Sequence, residues 1–348
     1  MQRVGRESRP GGRSTRFGSN HFRSAASWPR FPPPHAVPAV VLREKPRWPA
    51  FRRSGTMTSH TLSGRHMSSF RIVVQGPQLT AHMVDGIARD VQGKVHGYSS
   101  FAAIDVPHPV DPAVLAEVRQ RYPVDINVLP ANFIPEQAQL LVTDMDSTLI
   151  NIECIDEIGD FLGIKPQIAA ITEAAMRGEL NFEGSLTKRV ALLRGLDVDA
   201  LERVYQERLR LNPGAEIMLA GLKQRHIKIA LVSGGFTFFT SRLQQRLDLD
   251  FTLANVLDIE DGKLTGSVVG TIVGAEGKAA FLQELTTRFG LRPEQTIAMG
   301  DGANDLKMMQ HAGLSIAYHA KPAVQAQAKT ALNHCGLEGV LGLLNIAY

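Results

Sequence analysis

The sequence predicts an α/β protein: a Rossmann-like parallel sheet with helices on both faces, a helical insert after the first core strand, and a small α/β unit ahead of it. Three observations carry this. Apolar runs at 139–144, 227–233, 296–301 and 314–318 lack the alternation of half-exposed strands and are separated by helical stretches, the pattern of strands buried on both faces. The interval of about 155–211 between the first two runs reads as mostly helical. Asp144, Ser233 and Asp301 each close one of the runs, and in such sheets ligands bind at the carboxyl ends of the strands.

From the amino end, residues 1–67 read as an unstructured basic leader. They hold 13 Lys/Arg against two acids, and eight prolines, with no apolar periodicity; no core offsets the entropy of ordering them. This Arg- and Ser-rich composition fits an organelle transit peptide, and fits better an upstream-extended start, with translation beginning at Met57 or Met67. The remaining chain has 25 Lys/Arg and 32 Asp/Glu, so the rest of the protein is mildly acidic. That argues against nucleic acid as a partner, because phosphate backbones need a basic surface. No apolar run reaches the ~18 residues of a membrane span. Two cysteines, Cys154 and Cys335, make no framework of pairs; a reducing compartment, the cytoplasm, is expected.

Residues 68–135 read as the small α/β unit. "FRIVVQG" (70–76) is a strand, and Leu79, Met83, Ile87 and Val91 form one helical stripe at spacings of four. "GYSSFAAIDV" suggests a strand, "PAVLAEVRQRY" a helix and "VDINVLP" a last strand. The unit suggests a ferredoxin-like fold and is similar to the amino-acid-binding ACT domains in its strand, Gly76 and helix. A packing or dimerisation role without a ligand is expected, and a homodimer is compatible with the sequence.

Residues 136–348 carry the chemistry. "LLVTDMDSTL" (140–149) ends a strand on Asp144 and Asp146. An Asp-x-Asp pair alone is weak, since about one match arises by chance in a chain this long, and its bland reading is a carboxylate capping the next turn. The geometry recurs in "AMGDGANDL" (298–306), with Asp301 at a strand end followed by Asn304 and Asp305. Several carboxylates gathered at one sheet edge repel unless a divalent cation sits among them, and an oxygen-only donor set favours Mg²⁺. In "ALVSGGFTFF", Ser233, Gly234 and Gly235 precede a helix starting near Phe236; glycines and helix N–H groups there make a phosphate cradle. Lys278 stands in the first turn of another helix, where a cation opposes the dipole. It fits better pointing at a bound phosphate, with a solvated lysine as the ordinary alternative.

Taken together, Asp-Met-Asp-Ser-Thr (144–148), Ser233 in Val-Ser-Gly-Gly, Lys278 and Gly-Asp-Gly-Ala-Asn-Asp (300–305) resemble the haloacid dehalogenase-like (HAD) hydrolase superfamily. "STLINIECIDEI" with Glu153 and "MRGELNFEGSLTKRV" with Phe182 and Arg189 resemble its phosphoserine phosphatase branch. The likeness covers about residues 138–345. It implies an HAD-like sheet with a helical cap at about 155–211 over the site. It also implies Mg²⁺-dependent hydrolysis of O-phospho-L-serine, the last step of serine biosynthesis, through an aspartyl-phosphate.

In that reading Asp144 is the nucleophile and Asp146 the acid and base. Asp144, Asp301 and Asp305 hold the metal, with Asp146 contributing its backbone carbonyl. Ser233, Gly234, Lys278 and Asn304 surround the phosphoryl oxygens. Arg189 lies beside a stripe of Phe182, Leu186, Val190 and Leu193 and is steered inward, where a substrate carboxylate is its bidentate match; a salt bridge to Glu179 or Glu183 is the alternative. Glu153 pairs with the substrate ammonium, or is a surface helix glutamate. Met176 is expected as an ordinary core methionine, Cys154 as a small buried hydrophobe, and His319 as structural or adjacent to the site. Three other activities remain open: a phosphotransferase passing phosphate to homoserine, a phosphatase of other small monoesters, and a non-catalytic amino-acid sensor.

Overall fold

In the four-stranded unit at the amino end, successive residues of each strand serve different partners. The computed structural model describes residues 70–348, all within one compact unit; the expectations for the basic leader lie outside the described residues. The first six elements are β1 (Phe70–Gln75), α1 (Ala81–Asp90), β2 (Lys94–Tyr98), β3 (Phe101–Val106), α2 (Pro112–Arg121) and β4 (Asp125–Val128). The sheet order is β2-β3-β1-β4 with antiparallel neighbours, the βαββαβ ferredoxin-like arrangement. Thr80 caps α1 by accepting from the Met83 N–H, and Asp111 caps α2 ahead of Pro112. Ile72 and Val74 of β1 pack with Ile87 and Val118 of the helices, while Val73 turns to the other face and joins the core of the larger part. The period of two in a strand dictates this division. The sequence suggests one strand over 97–106; the structure has the β2–β3 hairpin instead. Gly97, at φ 78, breaks the register between His96 and Tyr98, and that irregularity hides β2 from a periodicity reading.

After β5 (Leu140–Thr143) the chain forms the insert: α3 (Cys154–Phe161), α4 (Lys165–Met176), α5 (Phe182–Ala191) and α6 (Asp199–Arg203), which continues through Val204–Arg208. Then follow α7 (Ala215–Gln224), β6 (Lys228–Phe236), α8 (Thr237–Leu247), β7 (Phe251–Glu260), β8 (Lys263–Val269), α9 (Ala275–Arg288), β9 (Thr296–Gly300), α10 (Leu306–His311), β10 (Leu314–Tyr318), α11 (Pro322–Gln325), β11 (Thr330–Leu332) and α12 (Gly339–Leu343). The seven-stranded sheet runs β11-β10-β9-β5-β6-β7-β8. It is parallel from β11 to β7, with β8 antiparallel at the edge.

Alternate residues of one strand feed two cores. Leu141, Ile229, Leu231 and Ile297 face one side. Leu140, Val142, Ala230 and Ala298 face the other, against Phe281, Leu282 and Leu285 of α9. This is why these strands read as unbroken apolar runs. β7, β8 and β11 escaped that reading. The β7–β8 turn at Asp261 and Gly262, both with positive φ, is an Asp-Gly hairpin signal that the sequence displays.

The insert is anchored to this hairpin. Gly195 N–H donates to Leu264 O at 2.8 Å, Leu264 N–H to Leu196 O at 2.8 Å, and Val198 N–H to Gly262 O at 2.9 Å. Leu186 and Val190 on α5, and Leu193 just past its end, are buried, each side chain contributing about 1.5–3 kcal/mol by leaving water. That stripe fixes the rotation of α5 and so the direction of Arg189. Among the described residues no helix is long and apolar enough to cross a membrane.

Candidate active site

β5 delivers Asp144 into the sheet edge. Its N–H donates to Met299 O at 2.9 Å, extending the β5–β9 pairing by one residue. The chain then turns sharply, with Ser147 at φ 55. The Asp146 carboxylate accepts from the Cys154 N–H at 2.9 Å through Oδ1 and from the Ser233 hydroxyl at 3.0 Å through Oδ2. It is therefore held by the first residue of α3 and by β6.

Lys278, in the first turn of α9, is 1 % exposed. Its Nζ lies 2.7 Å from Asp144 Oδ1 and 2.8 Å from Asp305 Oδ1. A cation at a helix start is tolerated here because two buried carboxylates neutralise it. Asp305 is fixed in turn by Gly302 N–H at 3.0 Å. Gly300 leaves it room: a Cβ there would lie 2.2 Å from Asp305 Oδ2. Asp301 accepts from Thr148 Oγ1 at 3.0 Å. One oxygen from each of Asp144, Asp301 and Asp305 lies within 4.8 Å of the others.

The electrostatics follow from burial and crowding. Burial, then the neighbouring Asp305, pushes Asp144 well above the ordinary carboxylate range, with Lys278 pulling the other way. Burial and Asp305 raise Asp301 likewise. Burial opposes the charge of Lys278, but Asp144 and Asp305 outweigh it and raise its pKa. One ammonium among three carboxylates leaves negative charge in excess. The oxygen-only donors, the close approach of the three acids and that excess all fit a divalent cation, which would reverse the upward shifts.

A cavity of about 140 Å³ opens over this edge, lined at its floor by Asp144, Asp146, Lys278, Asp301, Asn304, Gly234 and Gly235, and at its roof by Glu153, Phe182, Leu186 and Arg189. Ser233 and Asp305 are buried outside the lining, each bonded to a residue that is part of it. Asn181 caps α5 by accepting from Gly184 N–H at 2.9 Å, which sets Phe182 over the floor. Arg189 is half-buried. Burial lowers its pKa, while Asp156, Glu153 and Asp146 favour its charge. Its Nε donates to Ser185 O at 3.4 Å, and no ion pair within 4.0 Å forms among the described residues. Glu179 is bound instead by Arg177 at 2.6 Å. Glu153 accepts from the Ser147 hydroxyl at 2.7 Å. Withdrawal from bulk water, then the charge of Asp146, lifts its pKa to about 8. Its surface is nonetheless open to water at the cavity mouth, and that water tempers the shift.

The residues expected from the sequence thus converge on one cavity or directly behind it. Cys154 is buried, its thiol pKa pushed up by burial and by Asp146. His319 bonds Cys335 O at 3.2 Å and is absent from the cavity lining, a structural role. Met176 departs from expectation: it is 68 % exposed, because it ends α4 where the helix leaves the cap core. Ser147 and Thr148 belong to the motif read from the sequence, but their partners, Glu153 and Asp301, were not foreseen, and Asn255 was missed. Asn255 is a polar residue inside an apolar strand, a signal that was legible.

A parallel sheet presenting carboxylates from β5 and β9 beneath a helical insert defines a hydrolase of the HAD type, and the haloacid dehalogenase-like hydrolase family model matches residues 141–310. The chain belongs to this family. Within it, the chain is similar to a phosphoserine phosphatase of Polaromonas sp., 51 % identical over 224 residues that cover 63 % of this chain and 95 % of the relative. Among solved structures it is similar to a probable phosphoserine phosphatase from Vibrio cholerae in unliganded form, with TM-score 0.69 and 35 % identity, covering 80 % of this chain and 86 % of that one. A phospho-aspartyl intermediate analogue of phosphoserine phosphatase matches with TM-score 0.56 and 40 % identity, covering 59 % and 98 %.

Proposed function

We propose that the chain hydrolyses O-phospho-L-serine to L-serine and inorganic phosphate. The observation that carries this is the polarity of one small cavity: a phosphoryl-transfer floor of Asp144, Asp146 and Lys278 faces a roof with one guanidinium, Arg189, and one carboxyl group, Glu153, which a substrate ammonium would hold ionised. Phosphoserine has the matching ends, a phosphate for the floor and a carboxylate and an ammonium for the roof. The family and its named relatives support the same reading.

Asp144 attacks phosphorus in line, forming an aspartyl-phosphate as the bond to the serine oxygen breaks. Asp146 gives its proton to that oxygen, since an alkoxide leaves poorly without one. Water then attacks the phosphorus of the aspartyl-phosphate, Asp146 takes its proton, and phosphate leaves with Asp144 restored. Lys278, Asn304 and the Gly234 N–H stabilise the charge on the phosphoryl oxygens. Arg189 and Glu153 hold the amino-acid end, and Phe182 closes the floor against bulk water. Asp144, Asp301, Asp305 and the carbonyl of Asp146 would hold Mg²⁺, whose charge supplies neutralisation of the acidic floor and of the phosphoryl oxygens.

The test is phosphate release from O-phospho-L-serine, O-phosphothreonine and a sugar phosphate, with Mg²⁺ and with EDTA. Selective turnover of phosphoserine that EDTA abolishes is expected. Equal rates on the three esters would remove the role of the roof. Binding of serine without any turnover would favour a sensor.

A further inference from the structure

Asn255 lies outside every motif of the site, on β7, and is 2 % exposed. The β6–β7 ladder pairs Val232 with Leu253 and resumes at Phe236 with Asn255. Ser233, Gly234 and Gly235 therefore bulge opposite the single residue Ala254. A bulge leaves ladder groups without partners, and Asn255 takes one of them. Its Nδ2 donates to Gly234 O at 2.8 Å, while its Oδ1 accepts from Val273 N–H at 2.7 Å.

The consequence reaches the chemistry through one peptide unit. In a planar trans peptide the carbonyl and the following N–H point in opposite directions. Fixing the Gly234 carbonyl on Asn255 therefore aims the Gly235 N–H the other way, to Ser233 Oγ at 2.7 Å. With that lone pair occupied, the Ser233 hydroxyl donates to Asp146 Oδ2 at 3.0 Å. The far end of the same amide holds Val273, which precedes Gly274 and the helix bearing Lys278.

We propose that Asn255 is a positioning residue: through the Gly234–Gly235 peptide and Ser233 it sets the orientation of the Asp146 carboxyl that protonates the leaving oxygen. This rests on the reading of Asp146 as proton donor. An amide serving only to fill the bulge would support stability without favouring one leaving group over another.

The test compares kcat/KM of the Mg²⁺-loaded wild-type chain and of Asn255→Ala on O-phospho-L-serine and on p-nitrophenyl phosphate, whose leaving group departs without a proton. kcat/KM isolates transfer to Asp144 from the later hydrolysis. Positioned acid catalysis is worth about 10²–10⁴-fold, so misplacing the acid is expected to cost roughly 30-fold or more on phosphoserine and under about 3-fold on the aryl ester. Ser233→Ala should show the same bias, and the double variant should lose little beyond either single one, as expected for members of one relay. Should Asn255→Ala unfold, the isosteric Asn255→Asp keeps the acceptor for Val273 but places an oxygen against the Gly234 carbonyl; the same bias is expected. Equal losses on both substrates, or additive losses in the double variant, overturn the proposal. A wild-type chain active on the aryl ester but inert to phosphoserine overturns the functional reading itself.

Discussion

Phe182 and Gly234 meet across the cavity: a Cβ built on Gly234 would lie 2.8 Å from Phe182 Cζ. The cap ring thus rests on the Ser233–Gly235 turn because Gly234 has no side chain there. Gly274, at the start of α9, receives the other edge of the same ring, its Cβ position lying 3.1 Å from Phe182 Cδ1.

Gly234→Ala should therefore displace Phe182 and hold the cap off its floor. The clashing atom is the tip of a half-buried ring, so the fold can adjust, and stability should change by less than about 1 kcal/mol. KM for phosphoserine should rise about tenfold, equivalent to ~1.4 kcal/mol of lost binding. Steady-state kinetics beside a thermal melt checks both. An unchanged KM would mean that the ring does not close on the bound substrate.

Arg189→Ala should act on substrate choice. The guanidinium has no ion-pair partner among the described residues to leave unpaired, so little stability is lost. A bidentate contact with a carboxylate is lost, worth about 1.5–3 kcal/mol. kcat/KM for phosphoserine should fall roughly 10–100-fold, while a featureless aryl phosphate should lose far less. Parallel losses on the two substrates would refute the clamp.

Glu153 gives a pH signature. Its folded pKa of about 8 stands above the unfolded value of 4.5, so between those values the folded state keeps a proton that the unfolded state has released. Stability then falls as pH rises through about 4.5–8 and levels off above it. Glu153→Gln should remove that slope, with a melting temperature equal to wild type near pH 4 and higher at pH 8–9, in EDTA and without substrate. A wild-type chain no less stable than the variant at pH 9 would show that water at the cavity mouth cancels the shift.

The same residues show how far a sequence carries. Asp144, Asp146, Lys278 and Asp301 were legible because strand ends and helix starts are local features. An acid at the end of a buried strand, or a lysine at a helix start, is unfavourable there unless a ligand or a counter-charge meets it. Gly300 and Gly234 were legible as turns, yet their reason is spatial: Asp305 and Phe182 occupy the space that a side chain would need. Asn255 gave only the hint of a polar residue in an apolar strand, since its partners lie 21 and 18 positions away. β2 was hidden by the Gly97 irregularity, and β8 because at the sheet edge it pairs with the cap and lacks the two-sided burial that marks the central strands.

The seam between the two sheets separates stability from chemistry. Asp125, at the start of β4 and 3 % exposed, accepts from Asn333 N–H at 2.7 Å, from Cys335 N–H at 2.9 Å and from His334 N–H at 3.2 Å. Beside it Asn127 exchanges two 2.8 Å hydrogen bonds with the backbone of Ala331 in β11, so side chains of one edge strand complete the edge of the other sheet. Asp125→Ala would leave three backbone donors facing a partly dry seam, each without the charged acceptor that offsets its desolvation. The expected loss is about 2–4 kcal/mol of stability, a marked drop in melting temperature. None of these residues lines the catalytic cavity, so kcat/KM for phosphoserine, measured well below the new melting temperature, should stay within about twofold of wild type, the scatter of a ~0.4 kcal/mol change. A large fall in kcat/KM at a temperature where circular dichroism shows the variant folded would mean that the seam sets the geometry of β9 and β10, and hence of Asp301 and Asp305, and that the amino-terminal sheet is part of the catalytic scaffold.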